Sequence, residues 1–294
     1  MKRRKIICLL ISTFFILSLL TISVSADTGP KPSVHVSFEN IGDGIYYATL
    51  LSKNDSTGPF SVWDGNEDEA WHSGNDRYDE STPEEIWRAF VEYKDKDGYY
   101  FLQGTAWEVG KDKELAWTYY PPKSFKVLIY NPENETFLVS DVCEKYAFDS
   151  YFTAKIDGES ISVRRSYKWG LEVASLLARI LITIAIEIGI ALAFGFRNKK
   201  ELLVLVIANT TTQIILNVIL NIINFNSGQR AFVVGYILLE IVVFVIEAVL
   251  YTLLMRRLAE KPKPIWRYPL YALVANLSSF GIGLLIARII PGIF

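Results

Sequence analysis

Four charged side chains stand inside long apolar runs: Arg179 and Glu187 within 171–196, and Glu240 and Glu247 within 231–255. A charge in such a run is costly in lipid and faces protein or water. Helical spacing sorts the four. Glu240 and Glu247 fall on one helix face, and Arg179 and Glu187 lie within ~80° of each other. Counted inward at 1.5 Å per residue, Arg179 and Glu240 reach ~13 Å, and Glu187 and Glu247 reach ~24 Å.

The run 202–225 contributes Thr210, Thr211 and Thr212, and also Asn209, Gln213, Asn217, Asn221 and Asn224, these five within roughly one 120° sector of a helix. The run 268–290 contributes Asn276, Ser278 and Ser279. These two runs point the other way, which sets Asn217 at the upper level and Asn209, Gln213 and Asn276 at or near the lower one. The spacing therefore predicts two polar layers. Arg179, Asn217 and Glu240 make a balanced upper layer, read as a structural ion pair. Glu187, Glu247, Asn209, Gln213 and Asn276 make a lower layer with two carboxyls and no cation.

Two carboxyls at one depth cannot both ionise cheaply in a low dielectric. They are protonated, share a proton, face water or hold a cation. Carboxylate and amide oxygens are the ligand set of a hard ion such as Na⁺, Mg²⁺ or Ca²⁺, and a proton relay uses the same parts. Interhelical hydrogen-bond glue, typically ~0.6 to 2 kcal/mol per contact, explains the Asn and Thr residues. It explains paired glutamates poorly, because Gln would serve as well.

The elements that must position these groups are four helices. The runs 171–196, 202–225, 231–255 and 268–290 each exceed the ~20 residues needed to cross a bilayer. Short loops make an up-down-up-down bundle the expected packing. Ala185, Gly189 and Ala193 form one small-residue stripe, and Ser279 and Gly283 another, which suits close helix contact or a second subunit. Arg197, Lys199, Lys200, Arg256, Arg257, Lys261, Lys263 and Arg267 flank one side, against Arg230 and Arg288 on the other. The first side is read as cytoplasmic.

The start of the chain agrees. Lys2, Arg3, Arg4 and Lys5 precede an apolar run over 6–22 and then Val24-Ser25-Ala26, the pattern of an export signal cleaved after Ala26. Residues 27–168 and the C-terminus are then extracytoplasmic. Cys143 is the single cysteine left after such cleavage, so the exported domain folds without an internal disulfide, which fits a bacterial envelope.

Residues 27–168 carry 26 acidic and 15 basic side chains, and 169–294 carry 6 and 11. That split excludes one uniform soluble globule, and the absence of a basic face excludes a nucleic-acid binder. The exported segment reads as β-rich and sandwich-like. Alternation predicts strands at 34–38 and 46–51, and turn signals predict strands near 99–102, 125–130, 136–140, 151–156 and 160–164. One helix begins at Ser81 or Thr82 as cap, with Pro83, Glu84 and Glu85 in its first turn and Ile86, Trp87 and Phe90 on its apolar face. The Cys–Trp–Cys hallmark of immunoglobulin domains is missing.

Trp63, Trp71, Trp87, Trp107 and Trp117, with Tyr99-Tyr100 and Tyr119-Tyr120, either fill a core or stack on a sugar or peptide. Residues 64–75 have the alternating Asp64, Asn66, Asp68 of a calcium loop, but Glu69 replaces the needed Gly and Asn75 the needed Glu. No zinc, nucleophile-elbow or phosphate-loop motif is present, and no cofactor is implied.

The sequence thus reads as a multi-domain chain: an export signal (1–26), an extracytoplasmic β-rich domain (27–168) and an all-α four-span domain (169–294). Its expected partners are membrane lipid, an external ligand, and further copies of the chain or other membrane subunits. The leading function is binding outside, anchored or coupled to the helices. The alternatives are an ion- or proton-coupled transporter subunit working through Glu187 and Glu247, and an intramembrane enzyme.

Overall fold

The computed structural model describes residues 31–63, 65, 82–102, 106–110, 113–167 and 169–289. The strands among them are β1 (Ser33–Glu39), β2 (Tyr46–Ser52), β3 (Ser56–Thr57), β4 (Phe60–Ser61), β5 (Tyr100–Phe101), β6 (Trp107–Val109), β7 (Glu114–Trp117), β8 (Ser124–Asn131), β9 (Thr136–Val139), β10 (Cys143–Glu144), β11 (Asp149–Asp157) and β12 (Ser160–Arg165).

One sheet has the order β12-β11-β1-β7, with β1 parallel to β11 and the other pairs antiparallel. The second has the order β10-β8-β2-β5, and β6 and β9 add to β2 and β8. Alternation decides which side chains meet between them. Val34, Val36 and Phe38 of β1 share a core with Leu50 of β2, Val127 of β8 and Phe152 of β11. The opposite face of β2 and β8, with Tyr47, Leu51, Leu128 and Tyr130, packs on the helix α1 (Glu84–Glu92) through Ile86, Trp87 and Phe90. The order through the domain is sheet, sheet, helix.

Two hairpins form where turn chemistry places them. β11 and β12 pair from Asp157↔Ser160 outward, with Gly158 at φ 61° in the left-handed region that favours glycine. β8 and β9 pair from Asn131↔Thr136 outward. The start of α1 differs from expectation. Pro83 occupies the cap position without a side-chain bond, and the Thr82 hydroxyl donates instead to Ala106 O at 2.9 Å. Ser81 lies outside the described residues.

The C-terminal part is helical: α2 (Trp169–Ala193), α3 (Lys199–Leu250) and α4 (Arg267–Ile289), with a π-helical turn at Tyr251–Met255 closing α3. Asn198 and Glu201 start α3 with reciprocal side-chain-to-backbone bonds, a capping box. Among the described residues, two helical stretches are long and apolar enough to cross a membrane, Leu176–Ala193 and Lys199–Leu258, with mean hydropathies of 2.2 and 2.6.

The region is therefore not four separate rods. The two middle runs, expected as helices joined by a loop, form one helical stretch broken at Gly228 (φ 77°, ψ 178°). The chain doubles back there, so that Leu216 and Leu220 pack against Val243. Gly228 also seats an aromatic ring, since a Cβ on it would lie 2.6 Å from Phe148 Cδ1. Phe148 comes from the loop before β11, and its N–H donates to Phe225 O at 2.8 Å. The β-rich part thus rests directly on the tip of the α3 hairpin.

Candidate functional site

Burial in the helical region is inverted. Leu181 and Ile207 are 68% and 57% exposed, while Glu187, Asn209 and Glu247 are 1%, 0% and 0% exposed. The polar interior lies where α2, both arms of α3 and α4 meet. Asn209 Nδ2 donates to Glu187 Oε2 at 2.5 Å and to the Tyr251 hydroxyl at 2.9 Å. Thr212 Oγ1 donates to Glu247 Oε1 at 2.8 Å, and Asn276 Nδ2 to Glu247 Oε2 at 2.8 Å. Tyr251 also bonds Glu247, and the Tyr271 hydroxyl donates to Glu187 O at 3.2 Å. The network therefore holds two carboxyls, two amides and three hydroxyls.

Helical geometry accounts for this convergence. Asn209 and Thr212 are three residues apart and share a face, as do Glu247 and Tyr251, four apart. Both Asn209 and Asn276 also bond the carbonyl four residues back, at 3.2 and 2.9 Å, which fixes their amide planes. Tyr251 opens the π-helical turn, a local widening frequent at functional positions. One acceptor is left over. Asn209 Oδ1 is buried without a hydrogen-bond partner, a state shared among the described residues only by Thr49 Oγ1.

The structure brings Glu187, Glu247, Asn209 and Asn276 into this network, together with Thr212, Tyr251 and Tyr271, which spacing alone does not nominate. Gln213 is buried as well, but it lines a different cavity of about 10 Å³, room for about one water. Arg179, Asn217, Tyr236, Glu240 and Ser279 line the same cavity. There Arg179 Nη1 donates to Asn217 Oδ1 at 2.8 Å, and Tyr236 bonds Glu240.

Aromatic residues of the β-rich part mostly fill its cores. Trp63 meets Trp87 edge-on at 5.5 Å, and Trp107 packs on Trp117 at 5.5 Å. Tyr119 and Tyr120 differ, forming a surface pair under the Lys31 ammonium, 5.3 and 5.4 Å from the two ring centres. Trp71, His72 and nearly all of the candidate calcium loop lie outside the described residues.

Outside the helices, Lys126, Asp97 and Cys143 are titratable groups shifted by their surroundings. The Lys126 side chain is 2% exposed, and its ammonium bonds Asp95 Oδ1 at 3.0 Å and Asp97 Oδ2 at 2.5 Å. Burial opposes its charge, but the two carboxylates outweigh it and hold the ammonium above its ordinary value. The bond from Lys126 holds the Asp97 carboxyl below its ordinary value. Burial pushes the Cys143 thiol up to about 11.

No family model, no curated protein and no solved structure matches this chain.

Proposed function

We propose that this chain is a multi-pass protein of a bacterial cell membrane. Residues 1–26 export it, 27–168 stand outside, and 169–294 cross the bilayer four times, with the C-terminus outside. The exported domain, acidic and aromatic-rich, binds an external ligand or partner and passes that event to the helices through Phe148. Four spans are few for a complete transporter, so any transport by this chain needs further copies or partner subunits.

The observation that carries this reading is the inverted burial. In water, exposing Leu177, Leu181, Ile207, Ile215 and Ile222 while burying Glu187 and Glu247 would be strongly unfavourable. In lipid the same arrangement is the favourable one. The contact of Phe148 with Phe225 and Gly228 supports coupling over simple anchoring.

Single cysteines in a Cys8→Ser/Cys143→Ser chain test the topology, with a membrane-impermeant maleimide applied to intact cells. Ser162→Cys and Asn226→Cys label in intact cells, whereas Lys200→Cys and Lys261→Cys label only after permeabilisation. Recovery of the chain in the soluble fraction, or labelling of Lys200→Cys in intact cells, contradicts the reading.

A further inference from the structure

We infer that the Glu187–Glu247 network is a binding site for one monovalent hard cation, for which sodium is the probe. The inference rests on the membrane reading above, which supplies the low dielectric. Three observations carry it.

First, both carboxyls are buried and tied into one network, and the charged groups that bear on Glu187 are Glu247 and, one level up, Glu240, both acidic. Ionisation of both members of such a buried pair requires a positive occupant beside them. Second, Asn209 Oδ1 is fully buried and unpartnered, although the nitrogen of the same amide bonds Glu187 and Tyr251. An acceptor inside a polar cluster with no donor marks a place for an ion or another electropositive group. Third, the acceptor atoms of the network are all hard oxygens: the two carboxyls, Asn209 Oδ1, Thr212 Oγ1 and the Tyr251 hydroxyl. Oxygen donors of this kind select alkali and alkaline-earth ions over soft metals.

The charge of the occupant follows from the donors already present. Asn209, Asn276, Thr212 and Tyr251 direct N–H or O–H groups at the carboxylates and disperse part of their charge. The described residues hold no group of three His, Cys, Asp or Glu suited to a metal. Calcium takes six to eight oxygens and magnesium keeps several waters. A single positive charge fits this set better than two. The π-helical turn at Tyr251–Met255 gives one wall of the site a segment that can adjust as the ion enters.

The test uses the full-length chain in detergent at fixed pH, with sodium chloride titrated against choline chloride at constant ionic strength. The thermal midpoint rises with the logarithm of sodium concentration once the site saturates, and labelled sodium binds at about one ion per chain. Glu187→Gln/Glu247→Gln abolishes both responses. Asn209→Ala keeps both carboxyls and moves the half-maximal sodium concentration upward by at least tenfold, which serves if the double variant does not fold. Asn209→Asp places a third carboxylate in the set and adds a response to calcium. An identical midpoint in sodium and choline overturns the inference. So does a response that depends on pH alone, which assigns a proton to the pair, or an Asn209→Ala chain with unchanged sodium dependence. A chain found in the soluble fraction fails the membrane reading instead, so the two failures are distinct.

Discussion

The side-chain amide of Asn209 stands 2.5 Å from the Glu187 carboxylate, joining α2 to the first arm of α3 across 22 residues of chain. The same amide meets Tyr251, from the end of the second arm. One side chain therefore ties three helical segments together in a buried setting. Its removal leaves Glu187 short of a donor, which costs about 1–3 kcal/mol for a buried group. Asn209→Ala accordingly lowers the thermal midpoint, measured by circular dichroism in detergent. Thr211→Ala, on the exposed face nearby, stays within about 0.5 kcal/mol of the parent.

Gly228 makes two demands at once, a positive φ and space for the Phe148 ring. Gly228→Ala violates both. The backbone penalty alone, at a φ, ψ pair that essentially only glycine adopts, is about 1–3 kcal/mol, and the overlap with Phe148 adds to it. In a Phe148→Ala chain only the backbone penalty remains. The double-mutant cycle thus yields a coupling of about 0.5–3 kcal/mol. Strictly additive effects contradict the packing described here.

The Lys126 ammonium is enclosed with a fully buried Asp95 carboxylate. Lys126→Met removes the cation from that carboxylate, which keeps the backbone N–H groups of Asp97 and Tyr99, and destabilises the β-rich part by about 1–3 kcal/mol. The pH dependence has two limbs. Asp97, held low by Lys126, contributes stability above an ordinary Asp pKa of about 3.9, lost as pH falls through its folded value. Lys126, held high, contributes below an ordinary Lys pKa of about 10.4, lost as pH rises through its folded value. Thermal melts from pH 2 to 12 show both limbs in the parent chain, and Lys126→Met flattens them.

Much of this architecture is legible in the sequence, and the misses have physical causes. The hairpins at Asp157-Gly158 and at 131–136 follow from turn residues, because those interactions are local. Thr82 does not cap α1, because Ala106 O, 24 residues on, offers its hydroxyl a tertiary partner. Glu187, Glu247, Asn209 and Asn276 can be grouped by depth, because helical rise converts spacing into height. Tyr251 and Tyr271 escape such a count, since a tyrosine in an apolar run reads as an aromatic anchor. Gln213 is one turn from Asn209, about 6 Å along the axis, and a count with uncertain run ends does not separate those heights. The break at Gly228 seats Phe148, a contact 80 residues away in sequence that no local pattern reveals.

Cys143 supplies an independent check on the edge of the second sheet. With its thiol pushed up to about 11 by burial, roughly one molecule in a thousand is thiolate at pH 8. In a Cys8→Ser chain, iodoacetamide therefore labels Cys143 slowly in the folded state. The rate climbs about tenfold per pH unit until the thiol titrates, and denaturant removes the protection. Fast labelling of the folded chain at pH 8 contradicts the raised thiol and partial burial of Cys143.

In the proposed function the β-rich part and the helices act as one unit through the seat of Phe148 on the α3 hairpin. That coupling is tested most directly by unfolding the full-length chain while following two signals: near-ultraviolet dichroism, dominated by the tryptophans of 27–168, and helical dichroism at 222 nm. The account predicts coincident midpoints in the parent chain and separate midpoints in Phe148→Ala. Separate midpoints in the parent, or coincidence that survives Phe148→Ala, would contradict it.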